Sequence, residues 1–158
     1  MSIRPIRKSD NEELAQIIRG VFDEFDAPKK GTVYEDASTD DLYSLFQQER
    51  SILWVAEGEE GIYGCCGIFP TEGLDEDCAE LVKLYLRAEA RGKGIGKELF
   101  ERSIVSGRSM GFKSLYIESI PEFDKAVGMY EKMGFRHLDA PLGNFVHSGC
   151  SLFMIMDL

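Results

Sequence analysis

Arg91-Gly92-Lys93-Gly94-Ile95-Gly96 is the stretch from which the rest of the chain can be read. It joins an apolar strand, Leu81 to Leu86, to an amphipathic helix, Gly94 to Met110. Three glycines within five positions leave few Cβ atoms in the way. Consecutive backbone N–H groups can then converge on an anion while the helix N-terminus presents its positive dipole end. Arg91, Lys93 and Lys97 add mobile positive charge. The stretch reads as a phosphate-holding turn between a strand and a helix.

Downstream of the turn, Ile95, Leu99, Phe100 and Ile104 recur at helical spacing, and the helix ends before Gly111. Ser114 to Ile120 then predicts a strand parallel to Glu80–Leu86, so strand, loop, helix and strand form one βαβ unit. Pro121 breaks that strand, and Asp124 is expected to cap a fourth helix that stops at Gly134. Phe135 to Leu138 and Cys150 to Met156 predict a last pair of strands around the long loop Asp139 to Gly149.

Upstream, Ile52 to Glu57 and Ile62 to Phe69 predict a hairpin turning at Gly58-Glu59-Glu60-Gly61, followed by an acidic loop from Pro70 to Asp77. Ile3 to Arg7 opens the chain as a short strand. Ser9-Asp10-Asn11-Glu12 reads as a capping box before a helix with Leu14, Ile17, Ile18, Val21, Phe22 and Phe25 on one face. Residues 26 to 39 are irregular, and a second short helix runs through Leu42, Leu45 and Phe46. Helices alternating with strands, with hairpins at both ends, predict an α/β (α+β) mixed sheet covered by helices.

With 158 residues and 44% hydrophobic content, the chain reads as one compact domain, 1–158. Met1 to Arg7 lacks the apolar stretch of a signal peptide, and no apolar run approaches the ~20 residues that cross a bilayer, so a cytoplasmic protein without membrane association is expected. Cys65, Cys66, Cys78 and Cys150 include an adjacent pair and no Cys-x-x-Cys, which predicts free thiols, with Cys65 and Cys66 as small buried hydrophobes. His147 and Cys150 form only half of a metal site, so no metal is expected.

A net charge of −10 argues against a nucleic-acid partner. The distribution is more telling. Residues 83 to 113 hold eight Lys or Arg against three Glu, a balance of +5, whereas residues 1 to 82 hold seven against nineteen acids, a balance of −12. Positive charge gathers at the proposed phosphate turn, although a solvated basic helix face would give the same count.

Two familiar phosphate loops fail on spacing. The nucleoside-triphosphate loop needs an earlier glycine and a Ser or Thr after its lysine, but Arg91 precedes Gly92 and Glu98 follows Lys97. The dinucleotide fingerprint needs a third glycine where Lys97 stands. What survives is Arg-x-x-Gly-x-Gly, and here the chain resembles the GNAT superfamily of acyl-CoA N-acyltransferases. The resemblance extends from the strand Glu80–Leu86 through the loop and its helix to Ser114–Ile120. It continues in Met129-Tyr130-Glu131-Lys132-Met133-Gly134-Phe135, which matches that family's Tyr-x-x-x-Gly-Phe signature.

The resemblance implies a mostly antiparallel sheet of about seven strands with a central splayed parallel pair, flanked by about four helices. It also implies an N-acetyltransferase that moves an acetyl group from acetyl-CoA to a primary amine by direct attack in a ternary complex. The cofactor would be held by Arg91, Gly92, Lys93, Gly94, Ile95, Gly96 and Lys97, and by the backbone of Leu84, Tyr85 and Leu86, whose free N–H groups would also face the developing oxyanion. An amine near lysine's reference pKa costs about 4 to 5 kcal/mol to present as a free nucleophile at neutral pH, so a proton acceptor is needed. Glu80 stands where several family members carry a glutamate acting directly or through water. Its other reading is a strand-end carboxylate, solvated or paired with Lys83. Tyr130 matches the tyrosine that protonates the departing thiolate, and its other reading is a core aromatic beside Met129 and Met133.

One departure is visible: where many members have an asparagine seven residues before that tyrosine, this chain has Phe123. His147 is an alternative base or a surface-loop histidine. Asp23, Glu24, Asp26, Glu35, Asp36, Asp40 and Asp41 would either draw a cationic amine to the acceptor side or form a solvated acidic surface. Small-molecule amines and peptide or protein amines both remain open as acceptors, and the sheet edges permit a homodimer. The competing readings are a non-catalytic acyl-CoA sensor, which needs neither Glu80 nor Tyr130, and a nucleotide-binding module, against which the loop spacing argues.

Overall fold

The β-branched, aromatic and cysteine-rich runs of the chain become the strands of one sheet in the computed structural model, which describes residues 1–158. In chain order the elements are β1 (Ser2–Pro5), α1 (Asn11–Glu24), α2 (Leu42–Leu45), β2 (Ile52–Gly58), β3 (Gly61–Phe69), β4 (Cys78–Leu86), α3 (Ile95–Ser109), β5 (Ser114–Ser119), α4 (Asp124–Lys132), β6 (Arg136–Leu138) and β7 (Leu152–Asp157). The seven strands lie in the order β1-β2-β3-β4-β5-β7-β6. Every neighbouring pair is antiparallel except β4 and β5, which are parallel.

The sheet is buried on both faces, so its central strands are apolar on both sides. Leu99, Phe100 and Ile104 of α3 and Val127 and Tyr130 of α4 pack on one face with Cys66, Leu81, Leu115 and Met154. Leu14, Ile18 and Phe22 of α1 and Leu42 of α2 cover the other with Leu53, Val55 and Cys65. Cys65 and Cys66 are adjacent on β3 and so project to opposite faces, each fully buried and unbridged.

Two features of the sheet create the site. The first is the brevity of the parallel pairing. Only Cys78, Ala79 and Glu80 of β4 register with Ser114, Leu115 and Tyr116 of β5, after which the strands part. β4 continues to Leu86 with its β5-facing edge unpaired. The second is a bulge. The β3–β4 register passes from Gly67↔Val82 to Cys65↔Tyr85, so Lys83 and Leu84 oppose Cys66 alone, and Lys83 takes a φ of 59°.

The element order agrees with the sequence reading, and the differences are local. β1 ends at Pro5, β6 begins at Arg136, and β7 runs Leu152–Asp157. The expected Ser9–Glu12 capping box is not formed. Asp10 instead accepts from the Arg7 N–H at 2.7 Å and pairs with Arg4, because Ser9 falls inside a 3₁₀ turn, Lys8–Asp10, and the buried Asp10 carboxylate takes the N–H that opens it. Asp124 makes no capping hydrogen bond either, since a 3₁₀ turn, Pro121–Phe123, leads straight into α4 and makes Asp124 its first residue. Gly134 does end α4, at a φ of 106°, with Phe135 N–H reaching back to the Tyr130 carbonyl. No helix is long and apolar enough to cross a membrane.

Candidate active site

The parting of β4 from β5 opens a cleft of about 370 Å³ that runs from the glycine turn to Glu80. At its outer end, Gly92 and Gly94 hold φ angles of 74° and 81°, with nothing within 4 Å of an added Cβ; it is backbone conformation, not crowding, that asks for glycine here. Gly94 is the N-cap of α3 and has no side chain to satisfy the first-turn N–H groups, which stay available to a ligand. A Cβ on Gly96 would lie 3.3 Å from Leu86, so that glycine seats the helix start against β4.

The seven predicted loop residues divide by role. Arg91, Gly92, Gly94, Gly96 and Lys97 line the cleft. The Ile95 side chain is buried in the core and offers only its backbone, while Lys93 is exposed outside the cleft lining. Arg91 is held by Glu24 of α1 at 2.5 Å, donates to the Leu86 carbonyl at 2.9 Å and lies over the Phe25 ring. Arg87 N–H donates to Tyr63 on β3, and the Tyr85 N–H is turned to Cys65 on the same side. Alternation along the strand therefore turns the N–H groups of Leu84 and Leu86 toward the gap.

Phe123, at the departure from the family pattern, packs edge-on to Phe22 at 5.2 Å and to Phe25 and Tyr85 at 5.9 and 6.2 Å. These rings make one wall of the cleft apolar where an asparagine would have offered an amide. Tyr130 stacks among Phe100 and Phe135 at 5.9 Å in the core and also lines the cleft. Its hydroxyl has no protein partner, yet no buried polar atom is left unsatisfied, so the hydroxyl opens to the cleft. Burial, with a smaller contribution from Cys66, pushes its pKa far above the ordinary value and keeps it a donor.

Glu80 sits on the cleft floor, 9% exposed, and accepts a hydrogen bond from Thr71 at 2.7 Å. It forms no ion pair with Lys83, so the alternative reading of a paired strand-end carboxylate does not describe it. Burial raises its pKa, the Thr71 hydrogen bond opposes the rise, and nearby Glu118 adds to it. Glu118 of β5 lines the same cleft, is itself raised by burial, and accepts from Tyr116 at 2.8 Å. The sequence reading missed Glu118 and Thr71. A lone acid directly after the apolar run Leu115-Tyr116-Ile117 in the strand Ser114–Ser119 was the available signal for Glu118. Nothing local marks Thr71.

A smaller cavity of about 180 Å³ adjoins the first at Glu80, Lys83, Glu118 and His147. His147 is no free surface histidine: its Nε2 lies 3.0 Å from Asp36. Burial opposes ionisation of Asp36, but hydrogen bonds from His147 and Ser38 prevail and hold it at about 2. Of the seven acids expected near the acceptor side, only Asp36 lines this cavity. Asp23, Glu24 and Asp40 pair with Lys29, Arg91 and Arg19, Asp41 caps α2, and Glu35 accepts from the Gly31 N–H. Cys150 lines the larger cleft, where burial, then Glu118 and Glu80, push its thiol up to about 12.

The profile of the Acetyltransferase (GNAT) family matches residues 16–135. Over 157 residues the chain is 35% identical to the uncharacterized N-acetyltransferase YjgM of Escherichia coli K12, covering 99% of this chain and 94% of that protein. Its fold superposes with a TM-score of 0.81 on a GNAT-family acetyltransferase from Staphylococcus aureus Mu50, at 22% identity and 99% and 98% coverage. The TM-score is 0.76 on the acetyltransferase yncA from Salmonella typhimurium, solved with its cofactor acetyl-CoA, at 19% identity and 99% and 93% coverage.

Proposed function

The chain belongs to the GNAT family of acetyltransferases, and on that premise we propose that it transfers an acetyl group from acetyl-CoA to a primary amine by direct attack, with Glu80 as proton acceptor and Tyr130 as proton donor. The observation that carries this reading is the single cleft that joins an uncapped, glycine-gated helix start to a buried carboxyl and a buried phenol. The residues at its outer end fit the diphosphate of coenzyme A: free N–H groups of Ile95, Gly96 and Lys97, with Arg91 and Lys97 as cations. The aromatic wall around Phe123 suits the uncharged pantetheine arm, which needs apolar cover more than an amide contact.

Glu80 takes a proton from the acceptor ammonium, directly or through water. The nitrogen lone pair then forms the N–C bond at the thioester carbon, and the N–H groups of Leu84 and Leu86 face the oxygen on which charge builds. As the C–S bond breaks, Tyr130 protonates the sulfur, the surplus proton of the nitrogen passes through water to the resulting phenolate, and Glu80 returns its proton to solvent. Glu80 suits its part because burial moves a weak base toward the working pH, and Glu118 stands next to it as a second acceptor. A covalent relay through Cys150 is disfavoured, because a thiol held at about 12 supplies little thiolate at neutral pH.

Calorimetry with coenzyme A, followed by thiol release from acetyl-CoA across a panel of amines, tests the proposal. Amine-dependent release is expected. Binding without release across a broad panel would leave an acyl-CoA sensor, and no binding at all would remove the whole reading.

A further inference from the structure

Lys83 is used neither by the fold nor by the chemistry proposed above. It is 7% exposed, its ammonium takes part in no ion pair and donates no hydrogen bond within the protein, and yet no fully buried polar atom lacks a partner. These facts agree only if the Nζ meets open space, and Lys83 lines both the cleft and the adjoining cavity. A lysine side chain sunk into a protein without an ion-pair partner is costly: Asp36 and Glu80 attract it only from beyond contact distance, burial still lowers its pKa, and the φ of 59° at the bulge adds backbone strain. The bulge is what turns this side chain inward beside Cys65 on the α1 face.

We infer that the acceptor carries a carboxylate on the same small molecule as its amine, and that Lys83 receives this carboxylate while the amine meets Glu80. This rests on the acyl-transfer reading of the site. The protein's own anions do not meet the need. Asp36 is committed to His147 and Ser38, Glu80 to Thr71, and Glu118 to Tyr116. The phosphates of coenzyme A belong at Gly94, beyond the far end of β4. A strand advances about 3.3 Å per residue, so Glu80 and Lys83 stand roughly 10 Å apart along β4 with both side chains reaching into one space. An ammonium and a carboxylate on a single amino acid fit between them with opposite charge matched at each end. Phe46, Phe69, Leu74 and Phe145 line the adjoining cavity and suit an apolar side chain. Its 180 Å³ accommodates such a side chain.

The test compares leucine, leucinamide and isopentylamine as ligands of the wild-type protein saturated with coenzyme A, by calorimetry, and as acceptors, by thiol release. A charge-assisted contact predicts that leucine is favoured roughly 10- to 100-fold, in dissociation constant and in KM rather than kcat. Lys83→Met should erase that preference and leave coenzyme A affinity intact; the wild-type comparison stands alone if the variant does not fold. Equal binding of acid and amide by the wild type would overturn the inference, as would a Lys83→Met variant that lowers kcat alike for both. Absence of thiol release with every amine would strike the acyl-transfer reading, whereas acid-over-amide binding would still report Lys83.

Discussion

Replacing Glu80 by Gln should move activity and stability in opposite directions. Gln keeps an acceptor for the Thr71 hydroxyl 2.7 Å away and preserves volume, so packing on the cleft floor is undisturbed. It removes the proposed proton acceptor, and loss of such a group typically costs 10²- to 10⁴-fold in turnover. For an acceptor amine near lysine's reference pKa, the protein no longer offsets the ~4 to 5 kcal/mol of deprotonation at neutral pH. The deficit should therefore be steepest below the wild-type optimum and shrink as the medium itself frees the amine. Stability should rise. Burial lifts the folded-state pKa of Glu80 above its ordinary 4.5, so between those two values the folded protein binds more protons than the unfolded chain, and stability falls with increasing pH. Gln escapes that loss; the variant should melt with the wild type below about pH 4.5 and above it at neutral pH. Thiol-release profiles from pH 6 to 10 and melting curves from pH 4 to 8 are the assays. An unchanged pH–rate profile, or a variant less stable at pH 8, would refute the argument.

Tyr130→Phe keeps the ring that packs on Phe100 and Phe135, so stability should change by less than about 1 kcal/mol while kcat falls about 10- to 100-fold, measured by thiol release. Gly94→Ala meets no steric obstacle but forces a side chain to a φ of 81°, which should cost about 1–2 kcal/mol in denaturant unfolding and weaken coenzyme A binding in calorimetry. Asp36→Asn should remove about 1–2 kcal/mol of stability at neutral pH, after allowance for partial exposure. Because the Asp36 pKa is depressed from 3.8 to about 2, that contribution is present above the ordinary value and fades as pH falls through about 2, so acid titration should bring the two unfolding curves together.

How far the sequence could be read follows from how local each signal is. The glycine turn was legible because positive φ at Gly92 and Gly94 and an uncapped helix start are properties of six consecutive residues. Helix and strand order was legible from periodicity, and the burial of Cys65 and Cys66 from their place in a strand. The expected cap at Ser9 failed because Asp10 was recruited by Arg4, and Pro121 began a 3₁₀ turn that moved the start of α4. The acidic run before α2 looked like a steering surface but is largely spent on pairs with Arg19, Lys29 and Arg91, partners that only the fold brings near.

The order of amino acids by itself determined the glycine turn ahead of α3 and the succession of seven strands and four helices, because each depends on residues close in sequence. Tertiary structure alone decided that β4 and β5 pair for three residues and then part, that Lys83 turns inward without a partner, and that Glu118, Asp36 and His147 meet around one space. These depend on the register between strands and on a bulge. Register is a property of neighbours joined only across the sheet, and no local run of residues encodes it.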